Sequence, residues 1–149
     1  MIGGADILDM VNKDGSIKTS YTIFRLLEEI KSSNGLRLTE LANRTDMATS
    51  TVHTHLKTLE DLNYVVKDDK TFYISFRFLE FGSYRRKHSD LYQIAKPEVN
   101  KLAEQTGEHA NLLIEENGFG VFLYKRIGDQ GVMDDTYAGK RTYLHTTSL

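Results

Sequence analysis

The sequence predicts an α+β chain in which three helices precede a short hairpin, and a further helix precedes a second hairpin. Two observations carry this. Apolar residues recur at i, i+3, i+4 and i+7 before residue 63, and the spacing then switches to strand type at Tyr64. The chain has 149 residues, room for one ordinary domain or two small ones. Hydrophobic residues make up 40% and charged residues 27%, which fits a globular chain. No apolar run approaches the roughly 20 residues that cross a bilayer. Residues 1–15 lack a basic start followed by an apolar core, so no signal peptide is read there. The absence of cysteine removes disulfides, thiolate nucleophiles and cysteine metal sites, and fits the cytoplasm.

Net charge is -2, but its distribution is uneven. Residues 16–88 carry 12 Lys/Arg against 9 Asp/Glu, whereas residues 89–149 carry 6 against 9. A mildly basic first half and an acidic second half suggest two parts with different partners.

Residues 1–18 hold Gly3, Gly4 and Gly15 with no sustained period and read as a flexible arm. Thr19 or Ser20 can cap a first helix carrying Ile23, Leu26, Leu27 and Ile30. Asn34-Gly35 ends it. Thr39 can cap a short second helix with Leu41 and Ala42 on its apolar side. Thr45 to Ala48 then form a turn in which Asp46 takes positive φ more easily than most residues. The third helix runs from Thr49 to Asn63, with Val52, Leu56 and Leu59 in one stripe and Leu62 continuing the row. Its other face is small and polar: Ser50, Thr51, His53, Thr54, Lys57 and Thr58. Short donors and acceptors with one cation suit the DNA major groove. Helix, short helix, tight turn and helix is the helix-turn-helix arrangement. Tyr64–Lys67 and Thr71–Ile74 flank Asp68-Asp69-Lys70 as a hairpin, the wing of a winged helix.

Leu38-Thr39-Glu40-Leu41-Ala42, Ser50-Thr51-Val52-His53, Leu56, Thr58-Leu59-Glu60, Tyr64-Val65 and Tyr73 resemble the DNA-binding domain of IclR-type transcriptional regulators. Pro97, Leu102-Ala103, Thr106-Gly107-Glu108 and Leu144-His145-Thr146-Thr147 resemble the start of that family's effector-binding domain. Asp46 and Asn63 stand where the family usually has Gly, and both tolerate the left-handed region. Thr54 stands where the family often has Arg, and His55 where it often has Leu. After the arm at 1–18, the resemblance implies a winged helix-turn-helix at 19–76, a linker helix at 77–90 and a partial α/β, GAF-like effector-binding domain at 91–149. It implies double-stranded DNA as partner, through Thr39, Thr49, Ser50, Thr51, His53, Thr54, Lys57, Thr58 and Lys70. It also implies an effector, an organic acid or aromatic metabolite, near Leu144, His145, Thr146 and Thr147, and a homodimer or homotetramer.

In the later part, Leu91, Ile94, Ala95, Val99, Leu102 and Ala103 predict one helical stripe. Pro97 should kink or restart that helix, and Gly107 should close it. His109–Ile114 and Phe119–Ile127 read as strands joined through Asn117-Gly118, a strong hairpin signal. Residues 128–139 read as a polar loop or irregular third strand. With so few partners, Phe119, Val121, Phe122 and Tyr124 are not all expected to be covered. The family's domain normally runs on beyond Leu149, so loose packing is expected in 109–149.

No catalytic or metal site is read. His53 and His55 point about 200° apart on a helix and cannot share a metal. His88, His109 and His145 lack ligands at metal spacing. Asp129, Asp134 and Asp135 lie in a Gly-bounded polar loop, and Ser148 has no recognisable base. No cofactor is implied, and enzyme activity is not expected. The competing reading is a ligand-binding or protein-interaction module that uses the winged-helix fold without specific DNA binding.

Overall fold

The computed structural model describes residues 17–131 and 135–144. The chain forms two compact units, residues 1–79 and 80–149.

In the first unit, α1 (Lys18–Ser32) buries Leu26, Leu27 and Ile30. It starts one residue before Thr19, so neither expected cap is used. Ile17 is the N-cap, and its carbonyl accepts from the Ser20 and Tyr21 amides. β1 (Leu36–Arg37) is a strand that two residues gave no period to reveal. It pairs with a later strand, Thr71–Ile74, through Leu36 and Phe72. α2 (Leu38–Thr45) starts at Leu38, so Thr39 lies inside its first turn rather than capping it. The cap is made instead by Glu40, whose carboxylate accepts the Arg37 amide at 2.8 Å. α3 spans Thr49–Asp61.

These three helices end in the same way. A non-glycine residue turns left-handed: Asn34 at φ 52°, Asp46 at φ 53° and Asn63 at φ 60°. The next amide then bonds back across six residues: Gly35 to Ile30 at 2.9 Å, Met47 to Ala42 at 3.1 Å and Tyr64 to Leu59 at 2.8 Å. This closure satisfies carbonyls that the helix end leaves free. It also throws Leu62 outward, 52% exposed, so the apolar row stops at Leu59 rather than continuing.

β2 (Val65–Asp68) and β3 (Thr71–Ile74) form the hairpin, with Asp68 opposite Thr71 and Asp69 left-handed in the turn. The sheet order is β1-β3-β2. Val65 and Phe72 complete a core with Leu26, Ile30, Leu41, Val52 and Leu56. α4 (Arg77–Lys87) follows where the linker helix was expected and has no buried residue. Phe78 is half-buried against the core and meets Tyr64 at 5.2 Å between ring centroids.

In the second unit, Ser89 caps α5 (Asp90–Thr106) by accepting the Tyr92 amide. The helix does not restart at Pro97 but runs through it, and Gly107 closes it at φ 73°. Proline has no amide to give, so the Gln93 carbonyl forgoes its helical bond there. The expected stripe splits. Tyr92 and Ala103 are buried, whereas Leu91, Ile94 and Leu102 are exposed, Ile94 at 71%. The helix lies on β4 (Ala110–Glu116) and β5 (Phe119–Arg126). Tyr124 ties them together by donating to Asn100 at 2.9 Å and meeting Tyr92 edge-on. Asn117 and Gly118 both take positive φ, as a two-residue turn of type I′ requires. A third strand does form, but at β6 (Arg141–Tyr143), after the 128–139 loop rather than within it. It pairs with β5, giving the order β4-β5-β6. Phe119, Val121, Phe122 and Tyr124 are all only half-buried.

Two glycines separate space from strain. Gly35 has φ 106°, and a Cβ there would sit 2.4 Å from the Tyr73 ring. Gly118 has φ 82° with open space around it. Gly118→Ala should cost about 1–2 kcal/mol, the left-handed penalty alone. Gly35→Ala should cost clearly more, and denaturant unfolding followed separately in each unit measures the difference.

Candidate nucleic-acid interface

The surface begins with what α3 hides. Val52 and Leu56 are fully buried and Leu59 nearly so. A helix turns 100° per residue, so burying this stripe fixes which residues face outward. Thr49, Ser50, Thr51, His53, Thr54, Lys57 and Thr58 are all exposed, and His55 is half-buried at the margin. The turn before α3 is held from below. Thr45 is buried and its hydroxyl donates to the Leu41 carbonyl at 2.7 Å, while Met47 packs against the core.

Ala48 occupies the N-cap of α3, and no side chain accepts from its first turn. The free amides of Thr49, Ser50 and Thr51 therefore point to solvent at the positive end of the helix dipole. That geometry suits a phosphate. Thr39 is exposed on the first turn of α2, and Lys70 is exposed at the tip of the β2–β3 turn. All nine sequence-predicted DNA residues are thus at the surface of one unit.

Three features of this surface were not anticipated. Thr54 and Thr58 donate their hydroxyl hydrogens to the Ser50 and Thr54 carbonyls at 3.0 and 3.1 Å. Lys57 is paired with Asp61 one turn on. The hydrogen bond to Asp61, then its charge, holds the Lys57 ammonium above the ordinary lysine range. The i, i+4 spacing of the two residues was the available signal. Arg77 reaches back from α4 to donate to the Leu62 carbonyl at 3.0 Å, with its guanidinium 4.9 Å from the Tyr64 ring. Nothing in the local spacing pointed to that contact, which spans 15 residues.

Of the residues expected near an effector, Leu144 is half-buried and lies over Gly120. His145, Thr146 and Thr147 lie outside the described residues. Among the described residues, no group of three or more His, Asp or Glu is placed to hold a metal. No helix among them is long and apolar enough to cross a membrane.

Residues 22–69 match the IclR helix-turn-helix domain. The HTH-type transcriptional regulator BhcR of Paracoccus denitrificans is 33% identical over 137 residues, which cover 91% of this chain and 49% of BhcR. Residues 22–69 thus carry an IclR helix-turn-helix domain, and the chain resembles IclR-type regulators over most of its length. It spans about half the length of the curated relatives it matches, and those relatives are named as transcriptional regulators. IclR of Thermotoga maritima has the same fold, with a TM-score of 0.71 at 24% identity over 89% of this chain and 54% of that one. An IclR homologue from Microbacterium hydrocarbonoxydans, solved with 4-hydroxybenzoate, aligns with a TM-score of 0.70 at 18% identity over 88% of this chain and 55% of its own.

Within this helix-turn-helix domain the Lys57–Asp61 pair makes a direct expectation. Asp61→Asn should return the Lys57 ammonium toward its ordinary pKa, seen by NMR titration of the lysine side-chain nitrogen. The raised folded-state value means that the pair contributes below the unfolded lysine pKa. The contribution is lost as pH rises through the folded one.

Proposed function

We propose that this chain binds double-stranded DNA sequence-specifically and regulates transcription. In this reading α3 enters the major groove, where Ser50, Thr51, His53 and Thr54 face the base edges. Thr39, Thr49 and the first-turn amides of α3 meet phosphates on either side, and Thr58, its hydroxyl given to the Thr54 carbonyl, packs beside them. Lys57 and Lys70 supply the cations, from the helix and from the wing. Lys57 exchanges Asp61 for a phosphate on binding, so Asp61 tempers its contribution. The observation that carries the reading is the complete burial of one stripe of α3 opposite an uncapped, exposed, hydroxyl-rich face. That face lies inside the IclR helix-turn-helix match.

The domain division proposed is an arm at 1–18, the DNA-binding part at 19–76, the linker helix at 77–90 and effector-binding structure at 91–149. Two chains pair, so two α3 helices meet half-sites about one helical turn, or a multiple, apart. A small organic or aromatic acid acts as effector, with Leu144 to Thr147 in its pocket. The 4-hydroxybenzoate-bound homologue supports that chemical class. Effector binding shifts the DNA affinity through a coupling free energy between the two sites. The cytoplasm is the matching compartment.

Binding of the chain to a selected duplex, measured across a salt series, tests this. The logarithm of affinity should fall steeply with the logarithm of salt concentration. Lys70→Ala should weaken binding to every sequence and flatten that slope by about one. Ser50→Ala with Thr54→Ala should reduce binding to the selected duplex more than to random duplex. Duplex binding that is absent or indifferent to salt would overturn the proposal in favour of a protein-contact role.

A further inference from the structure

We propose that Thr54 reads thymine, its methyl group lying against the C5 methyl of one thymine in each half-site. The inference rests on the DNA-binding reading above and names what one position of that surface recognises.

A threonine hydroxyl has one hydrogen to donate. At Thr54 that hydrogen goes to the Ser50 carbonyl at 3.0 Å, one turn back in the same helix. What the exposed side chain offers outward is therefore a methyl group and oxygen lone pairs, with no donor. Guanine presents two acceptors, N7 and O6, to the major groove and needs donors opposite. Thr54 in this state would set an acceptor against acceptors, which repels. Adenine and cytosine present amino donors that a lone pair accepts, but neither carries a methyl. Thymine alone does, and apolar contact between its methyl and the Thr54 methyl, turned away from thymine O4, is a recognised way to read it.

The neighbours reinforce the assignment. Thr58 is spent in the same way on the Thr54 carbonyl at 3.1 Å, so the next turn supplies no hydroxyl donor either. Lys57 is the one exposed cation of α3, and the reading above commits it to a phosphate rather than to a base. Between Thr49 and Asp61 there is no Arg, Asn or Gln to make a two-pronged base contact. Hydrogen-bonded reading is left to Ser50, Thr51 and His53, and at Thr54 itself the group on offer is the methyl.

The test uses the 149-residue chain and a random duplex library, from which the preferred duplex is selected. Each thymine of that duplex is then replaced singly by deoxyuridine, which removes only the methyl. One thymine per half-site should show a loss of about fourfold, the transfer value of one methyl group. Thr54→Ser, which lacks the side-chain methyl, should bind the thymine and uracil duplexes equally. Thr54→Val, which keeps a methyl and loses the hydroxyl, should bind like the parent and retain the uracil penalty. A uracil penalty undiminished in Thr54→Ser would overturn the inference, as would a loss in Thr54→Val as large as in Thr54→Ala. Those outcomes leave DNA binding intact, whereas a library from which nothing is enriched would overturn the DNA-binding reading itself.

Discussion

The burial of Val52 and Leu56 is the constraint on which the first unit depends. Each withdraws a side chain from water at about 1.5–3 kcal/mol, and neither has any exposed surface left. Rolling α3 by one residue would expose both and bury Thr51 and His55, or His53 and Lys57, in their place, without partners for the polar atoms. The outward face is therefore set by the inward one. The three left-handed closures at Asn34, Asp46 and Asn63 stop each helix at a fixed point, so its neighbour starts at a fixed point. Arg77 adds a tie at the far end of α3, where the Leu62 carbonyl would otherwise rely on water.

Much of this was readable in advance because the signals are short-range. The stripe of α3 follows from helical spacing, and the left-handed Asp46 and Asn63 follow from side chains that tolerate that region. Asn117-Gly118 declared its hairpin by turn chemistry alone. What escaped was decided by tertiary context. β1 has two residues and exists because β3 lies beside it. The face of α5 could not be told from composition, because apolar residues ring most of the helix. Only the strands beneath it select Tyr92 and Ala103 over Leu91 and Ile94. The third strand of the second sheet was sought in the polar loop and lies beyond it, since the loop is the connection that brings Arg141–Tyr143 back to β5. At the candidate interface the residue types were legible, but the hydroxyl directions and the Asp61 tether were not.

The second unit is organised by aromatic rings more than by a sealed core. Tyr92 meets Tyr124 edge-on, and the Lys96 ammonium stands 5.9 and 5.5 Å from the two ring centroids. Arg141 lies 4.1 Å over Phe119, which itself stacks on Tyr143. Such contacts are each worth about 0.5–1 kcal/mol at exposed sites. They join α5, β5 and β6 at their margins while leaving most of the rings half covered. Long cationic stems here take over part of the covering that aliphatic side chains give in the first unit.

Alanine at position 48 sets stability against use. A serine, threonine or aspartate at that N-cap would accept a first-turn amide and typically gain about 1 kcal/mol. It would also occupy the amides that the proposed DNA-facing end of α3 holds open, and aspartate would add a negative charge where a phosphate is expected. A search for heat-resistant variants would thus tend to collect changes at residue 48 that close the helix end to its ligand. The small, silent side chain there leaves the positive end of α3 unspent until a partner arrives.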